Sequence, residues 1–352
     1  MSEASIDVIV NNYDYGPFLR AAIDSALAQS YAKVRVVVVD DGSTDDSRAI
    51  IESYGSDVVP VFKPNGGQAS AFNAGIQESD GEFVIFLDAD DVLMPGICAE
   101  VAETFAREPT AARVQYRMEV IDEGGSPTGI LKPPGYVKLP SGDLRRHAVA
   151  FAFDVPWIAT SGNAFRSEAI RRVAPIPEND FRILADWYLV HLTSLLGTVA
   201  ALDLVGAYRR VHDRNLHEHH EPVLDLSQLR QSIDAAAGVT PYLRDLALEL
   251  GIADGNATTC AVSDIGNRLI YLRLGPEHDR LPGDTRLKLL RTGIRASLGR
   301  FDVAPVMRLV FISWLLAEAF APRRPARHLA ELFVFPERRG RVSPVLAGLR
   351  RY

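Results

Sequence analysis

Three carboxylates stand within four positions at Asp88-Ala89-Asp90-Asp91, directly after the apolar run Phe83-Val84-Ile85-Phe86-Leu87. Such a cluster repels itself unless a cation shares it. Oxygen-only ligands suit Mg2+ or Mn2+, which take one or two protein carboxylates and complete their shell with water and phosphate oxygens. The preceding run, rich in β-branched and aromatic residues, reads as a strand buried on both faces. In open α/β sheets ligands bind beyond the carboxyl ends of the strands, where these three residues fall. Capping of the helix that begins near Pro95 accounts for one of the three, not for all.

The elements upstream place more polar groups on the same rim. Strands are expected over Ile6–Val10, Val34–Val39 and Val58–Phe62, each followed by a helix of amphipathic pattern. Pro60 puts the third strand near a sheet edge. This βαβαβαβ order implies a doubly wound, mostly parallel α/β sheet with its loops together at one edge. Those loops carry Asn11, Tyr13, Asp40, Asp41, Asn65, Gln68 and Asn73, which join Asp88 and Asp90. An aromatic ring, amides and a carboxylate suit a nucleobase, the ring by stacking and the carboxylate by accepting from an imide N–H. Gly66-Gly67 ahead of a helix offers backbone amides to a diphosphate.

Composition excludes several other classes. The chain has 352 residues, 47% hydrophobic and 24% charged, enough for a sizeable core and for two domains. A net charge of −7 argues against nonspecific nucleic-acid binding. Cys98 and Cys260 provide neither a disulfide framework nor a zinc spacing, which fits a reducing cytoplasm. Met1–Ser5 lacks the pattern of a signal peptide, and no run of about 18 uncharged apolar residues is present to span a membrane.

The series NNYDYGPFLRAAIDSALAQSY, VVVVDDGSTDDS, NGGQASAFNAGI and GEFVIFLDADD resembles the family 2 glycosyltransferases of GT-A fold over roughly the first hundred residues. The resemblance implies an inverting enzyme with a nucleotide-sugar donor and a divalent metal, Mn2+ or Mg2+. It makes Asn11 and Tyr13 the start of the nucleotide pocket, Asp40 or Asp41 the reader of the base, and Asp88-Ala89-Asp90 the metal and diphosphate motif. Asn11-Asn12-Tyr13-Asp14 stands where the family often has Pro-Thr-Tyr-Asn, keeping the aromatic residue.

Further along, Thr160–Arg166 resembles the family segment beside the donor sugar and acceptor. Ala185-Asp186 stands where the family shows Glu-Asp, and Asp186 is the expected catalytic base, although a helix dipole also favours an acid there. Ala207–Asn215 resembles the segment that closes many such domains. By that likeness Arg209 or Arg210 faces the departing diphosphate and His212 adds a metal contact. His217, His219 and His220 read as a solvated linker.

Residues 1–220 are therefore expected to form the catalytic domain and 221–352 a helical extension. Its helices are expected over Leu224–Ala237, Tyr242–Leu250, Val262–Leu274, Leu287–Leu298 and Val303–Phe320. The arginine-rich end from Phe301 raises peripheral contact with the inner face of the plasma membrane as an option beside core packing. The expected partners are a nucleotide-sugar donor and a glycan or lipid-linked acceptor, in surface polysaccharide or glycoconjugate synthesis. A sugar nucleotidyltransferase would want a basic, glycine-rich first loop, and residues 11–16 contain no basic residue. A noncatalytic nucleotide-sugar-binding or scaffold protein is the rival of a different class.

Overall fold

The computed structural model describes residues 4–155, 157–213, 215, 224–253 and 261–335. The chain divides into two compact units, 1–135 with 139–145 and 156–212, and 136–138 with 146–155 and 213–352.

The first unit is built on one sheet of strands β1 (Ile6–Asn12), β2 (Val34–Asp40), β3 (Val59–Phe62), β4 (Phe83–Asp88), β5 (Val92–Leu93), β6 (Ala111–Ile121), β7 (Pro127–Lys132), β8 (Asn163–Arg166) and β9 (Thr198–Arg210). Their order is β3-β2-β1-β4-β8-β6-β9-β5, with β7 paired to β6. The first four strands run parallel, as crossover helices require: α1 (Gly16–Leu27), α2 (Ser47–Glu52) and α3 (Gln68–Glu78) return the chain each time. Pro60 lies in β3 at the end of the sheet, where its missing N–H breaks no ladder.

Beyond β4 the sheet is mixed. β8 lies antiparallel to both β4 and β6, while β6 and β9 are parallel. Helices α4 (Ile97–Arg107), α6 (Ser167–Val173) and α7 (Ala185–Leu196) complete the first unit, while α5 (Arg145–Phe151) belongs almost wholly to the second. The core is apolar on both sides of the central strands: Val8 and Val10 of β1 and Ile85 and Leu87 of β4 pack with Leu19 and Ile23 of α1 on one face, and Ile9 and Phe86 are buried on the other.

In the second unit, α8 (Leu226–Glu249), α9 (Val262–Leu274), α10 (Arg286–Gly299), α11 (Pro305–Phe320) and α12 (Arg323–Val334) follow. The two helices expected over 224–250 are one, which continues through Pro241. Burial of Val239 and Leu243 on either side of that proline holds the axis together at the cost of one backbone hydrogen bond. The first part of the basic tail is not loose chain but α12, with Ala326 and Ala330 buried and Phe333 stacked on Trp314 at 4.0 Å. The remaining tail arginines and His217, His219 and His220 lie outside the described residues. Among the described residues no helix is long and apolar enough to cross a membrane.

Candidate active site

The parallel register brings the carboxyl ends of β2, β1 and β4 side by side: Asn12 stands opposite Asp40, and Asn11 opposite Asp88. The side chains follow the backbone. Asn11 Nδ2 donates to Asp88 Oδ1 at 2.9 Å, and Asn12 Nδ2 donates to Asp40 Oδ1 at 2.9 Å. Ser43 Oγ adds a hydrogen bond of 2.5 Å to the same Asp40 oxygen. Tyr13 leaves its ring 45% exposed on this edge, free of the core and able to stack.

Asp41 is buried and draws the loop after β3 onto the sheet. Lys63 Nζ reaches its Oδ1 at 2.5 Å, the Gly66 amide donates to that oxygen at 2.9 Å, and the Gly67 amide donates to Oδ2 at 2.6 Å. The amides expected to greet a diphosphate are therefore spent on Asp41. Gly67 has φ +90°, and a Cβ there would lie 2.5 Å from the Arg182 backbone oxygen, so this turn requires glycine.

The loop also holds α7. Gln68 Oε1 accepts the Ala185 N–H at 2.8 Å, and the Gln68 N–H donates to Arg182 O at 2.8 Å. Asn65 Oδ1 accepts from Arg182 Nη2. Leu184, just before the helix, takes a left-handed conformation with φ +59°, a strained setting for a branched residue that places Asp186 in the first turn. Asn73 lies apart from this group: its amide exchanges hydrogen bonds with the Ile176 backbone, 2.9 Å as donor and 2.8 Å as acceptor.

The three carboxylates of the β4 end have different fates. Asp91 is buried and serves as a frame, accepting the Ser161 hydroxyl at 2.7 Å and the Arg210 N–H at 3.1 Å. Asp88 and Asp90 remain partly exposed. Burial, together with the charges of Asp90 and Asp186, pushes the Asp88 carboxyl up to about 7, opposed by Asn11 and Arg209. His212 Nε2 lies 3.1 Å from Asp90 Oδ2, with its ring stacked on Phe18 at 4.5 Å. Arg210 turns its guanidinium to Asp90 O and Glu123 O, each at 3.0 Å, so of the two adjacent arginines Arg209 is the one whose charge acts on Asp88 and Asp186.

Asp186 is raised above its ordinary value by burial, offset by the Trp187 N–H at 3.0 Å, the Arg209 charge and the Thr160 hydroxyl. A carboxylate so placed takes up a proton more readily than one in water.

Comparison with known proteins shows the family and the fold. The glycosyl transferase family 2 model matches residues 7–172. An uncharacterized glycosyltransferase of Nostoc sp. is 34% identical over 255 residues, covering 70% of this chain and 76% of that protein. The chain belongs to glycosyltransferase family 2. An uncharacterized glycosyltransferase of Rickettsia prowazekii is 41% identical over 90 residues, 26% of this chain and 28% of that one. Chondroitin synthase of Pasteurella multocida is 32% identical over 124 residues, 34% of this chain and 13% of that one. The chain thus spans less than a third of the length of these last two relatives. The structure of S. aureus TarS 1–349 in complex with UDP superposes with a TM-score of 0.53 at 18% identity, covering 96% of this chain and 92% of that one. The mixed sheet with its helices is therefore a GT-A-like fold carrying a helical C-terminal region.

In this family 2 glycosyltransferase, Asp88 and Asp90 are the acidic oxygens available to a cation. Among the described residues no three His, Cys, Asp or Glu side chains converge as a complete metal cage. His212 stands beside Asp90, its Nε2 3.1 Å from that carboxylate. Two carboxylates, one of them driven toward neutrality first by burial and then by the charge of the other, fit an Mg2+ or Mn2+ ion that takes its remaining ligands from water and a diphosphate. Sequence reasoning named Ser161 only within a segment and did not see its bridge to Asp91. It also did not see Lys63 and Arg182, whose partners lie 22 and 117 residues away.

Proposed function

We propose that this glycosyltransferase moves a sugar with inversion from a nucleoside-diphosphate sugar to a hydroxyl of a glycan or lipid-linked acceptor, with Asp186 as the base. One observation carries the reading. Asp186 lies close enough to Asp88 for its charge to act on that carboxyl, and the Arg209 cation acts on both.

In the proposed reaction the acceptor oxygen forms a bond to the anomeric carbon as the bond from that carbon to the diphosphate oxygen breaks. The acceptor proton passes to Asp186, and the nucleoside diphosphate departs with the bonding pair. Arg209, whose charge acts on both Asp88 and Asp186, would stabilise that negative charge. Asp88 and Asp90 would hold a divalent ion, Mn2+ or Mg2+, which supplies further positive charge to the leaving diphosphate. Tyr13 would offer its exposed ring to the base, with Asn11, Asp40 and Asp41 on the neighbouring loops of the same sheet edge. The fold neighbour was solved with UDP and also with UDP-GlcNAc, so uridine donors open the screen. Surface polysaccharide or glycoconjugate synthesis is the process such a transfer would serve.

The test is Asp186→Asn. Asparagine keeps the shape and the helix position but cannot take the proton. Donor affinity measured by calorimetry should stay near the wild-type value, while turnover falls roughly 10² to 10⁴-fold. The rise of rate with pH should vanish with it. Full turnover in this variant would remove Asp186 from the chemistry.

A further inference from the structure

The second unit carries a surface that its own described helices leave open. On α11, Val306, Leu309, Leu316 and Phe320 are 49%, 62%, 42% and 63% exposed. With Ser313 they recur at spacings of three and four, which puts them on one helical face without a charge among them. The opposite side of this helix is used: Leu315 and Ala319 pack with Leu289, Leu290 and Ala296 of α10 on Ile265 and Leu269 of α9.

Helix α10 runs back along α11. A Cβ at Gly293 would meet Leu315, and Arg308 of α11 reaches Leu298 O at 3.4 Å near the other end. The exposed side of α10 bears Lys288, Arg291 and Arg295, and the helix contains no acidic residue. None of these three cations makes an ion pair among the described residues. Lys288, Arg291 and Arg295 line a shallow cavity of about 370 Å³ with Leu287 and Thr292. Leu287 is 73% exposed, and Leu298, further along the same helix, is 56% exposed. The two acids of the hairpin are withdrawn, Asp302 in a paired fork with Arg300 at 2.6 and 2.7 Å, and Glu318 fully buried. Both stripes lie away from α9, because the buried residues of the two helices face it.

We propose that the α10–α11 hairpin docks on an anionic lipid bilayer, its apolar stripe entering the interface and its cations meeting the headgroups. Cations beside an apolar stripe on one helical surface are the pattern of an interfacial helix. The local charge opposes that of a protein with net charge −7, so this face is selected electrostatically. A second copy of the chain would bring the same cations against themselves, and an acidic polysaccharide would leave the apolar stripe in water. This places the membrane chemistry on α10 and α11 rather than on the start of the tail, where Arg323 bonds Leu274 O at 3.3 Å and Arg327 lies 3.7 Å from Glu331.

The test uses the full chain in co-sedimentation with phosphatidylglycerol-containing vesicles and with phosphatidylcholine vesicles. The wild type should bind the anionic vesicles, less so at high salt, and leave the neutral ones. Arg291→Ala with Arg295→Ala should weaken that binding roughly 25-fold, since each cation near such a surface is worth about a factor of five. Leu309→Ser with Phe320→Ser should weaken it as strongly while the far-ultraviolet circular dichroism stays unchanged, because all four side chains are on the surface. Absence of binding to anionic vesicles, or unchanged binding in either double variant, overturns the proposal. So does a soluble dimer of the wild type that dissociates in the Leu309→Ser, Phe320→Ser variant, which would assign the face to a second copy.

Discussion

The Ser161 hydroxyl donates to the buried Asp91 carboxylate at 2.7 Å and at the same time accepts the Asp88 backbone N–H at 3.1 Å. One side chain from the β8 approach thereby sets the end of β4. Ser161→Ala leaves an Asp91 oxygen and the Asp88 amide each short of a partner in a buried setting. The expected loss is about 1–3 kcal/mol of stability, read from denaturant midpoints. Donor binding should weaken as well, since Asp88 loses its backbone anchor.

Asp90→Asn addresses the cation. The amide oxygen can still accept from His212, so the local frame should survive, but the hard anionic ligand is gone. Nucleotide binding measured by calorimetry should lose its dependence on Mn2+, with the circular dichroism unaltered. Binding that keeps the same Mn2+ dependence would contradict the metal assignment.

Gln68 offers a way to separate donor contact from positioning. Its Oε1 holds the Ala185 N–H, next to Asp186 and to the left-handed Leu184. Gln68→Ala should free the first turn of α7 and lower kcat roughly tenfold, with donor KM little changed. Gln68→Glu retains an acceptor and should recover most of the loss. A large rise in donor KM with kcat intact would instead make Gln68 a donor contact.

Glu318 links the helical unit to pH. Burial, with only partial relief from Arg273, pushes its carboxyl from the ordinary 4.5 up to about 7, and neither oxygen finds a hydrogen-bond partner among the described residues. The unfolded chain thus ionises Glu318 at a lower pH than the folded one. Stability is full below pH 4.5 and falls as pH rises toward 7, by about 3 kcal/mol in all. Glu318→Gln should abolish that decline and be more stable than the wild type at about pH 8. Hydrogen exchange of the α11 amides across the pH range provides the measurement.

Much of the catalytic half was legible without coordinates. An apolar run ending in Asp88-Ala89-Asp90, repeated strand–helix alternation and four loops of polar residues all act over a few neighbouring positions, where periodicity and residue type suffice. The parallel order of β1 to β4 followed from the crossover helices, and Pro60 named the edge strand. The helical character of the C-terminal part was visible for the same reason.

What each polar residue does was decided by tertiary structure. Gly66 and Gly67 serve Asp41, Gln68 holds Ala185 across 117 residues, Asn73 holds Ile176 across 103, and Asp91 pairs with the Arg210 backbone across 119. A buried hydrogen-bonding group must find a partner, but residue type alone does not say which of many distant groups will be that partner. The mixed part of the sheet is of the same kind, since antiparallel pairing of β8 depends on how a long connection returns rather than on the four residues Asn163–Arg166 themselves. Likewise the apolar residues of α11 read identically whether they face a core or water. Only the packing of α9, α10 and α12 around that helix left Leu309 and Phe320 outside.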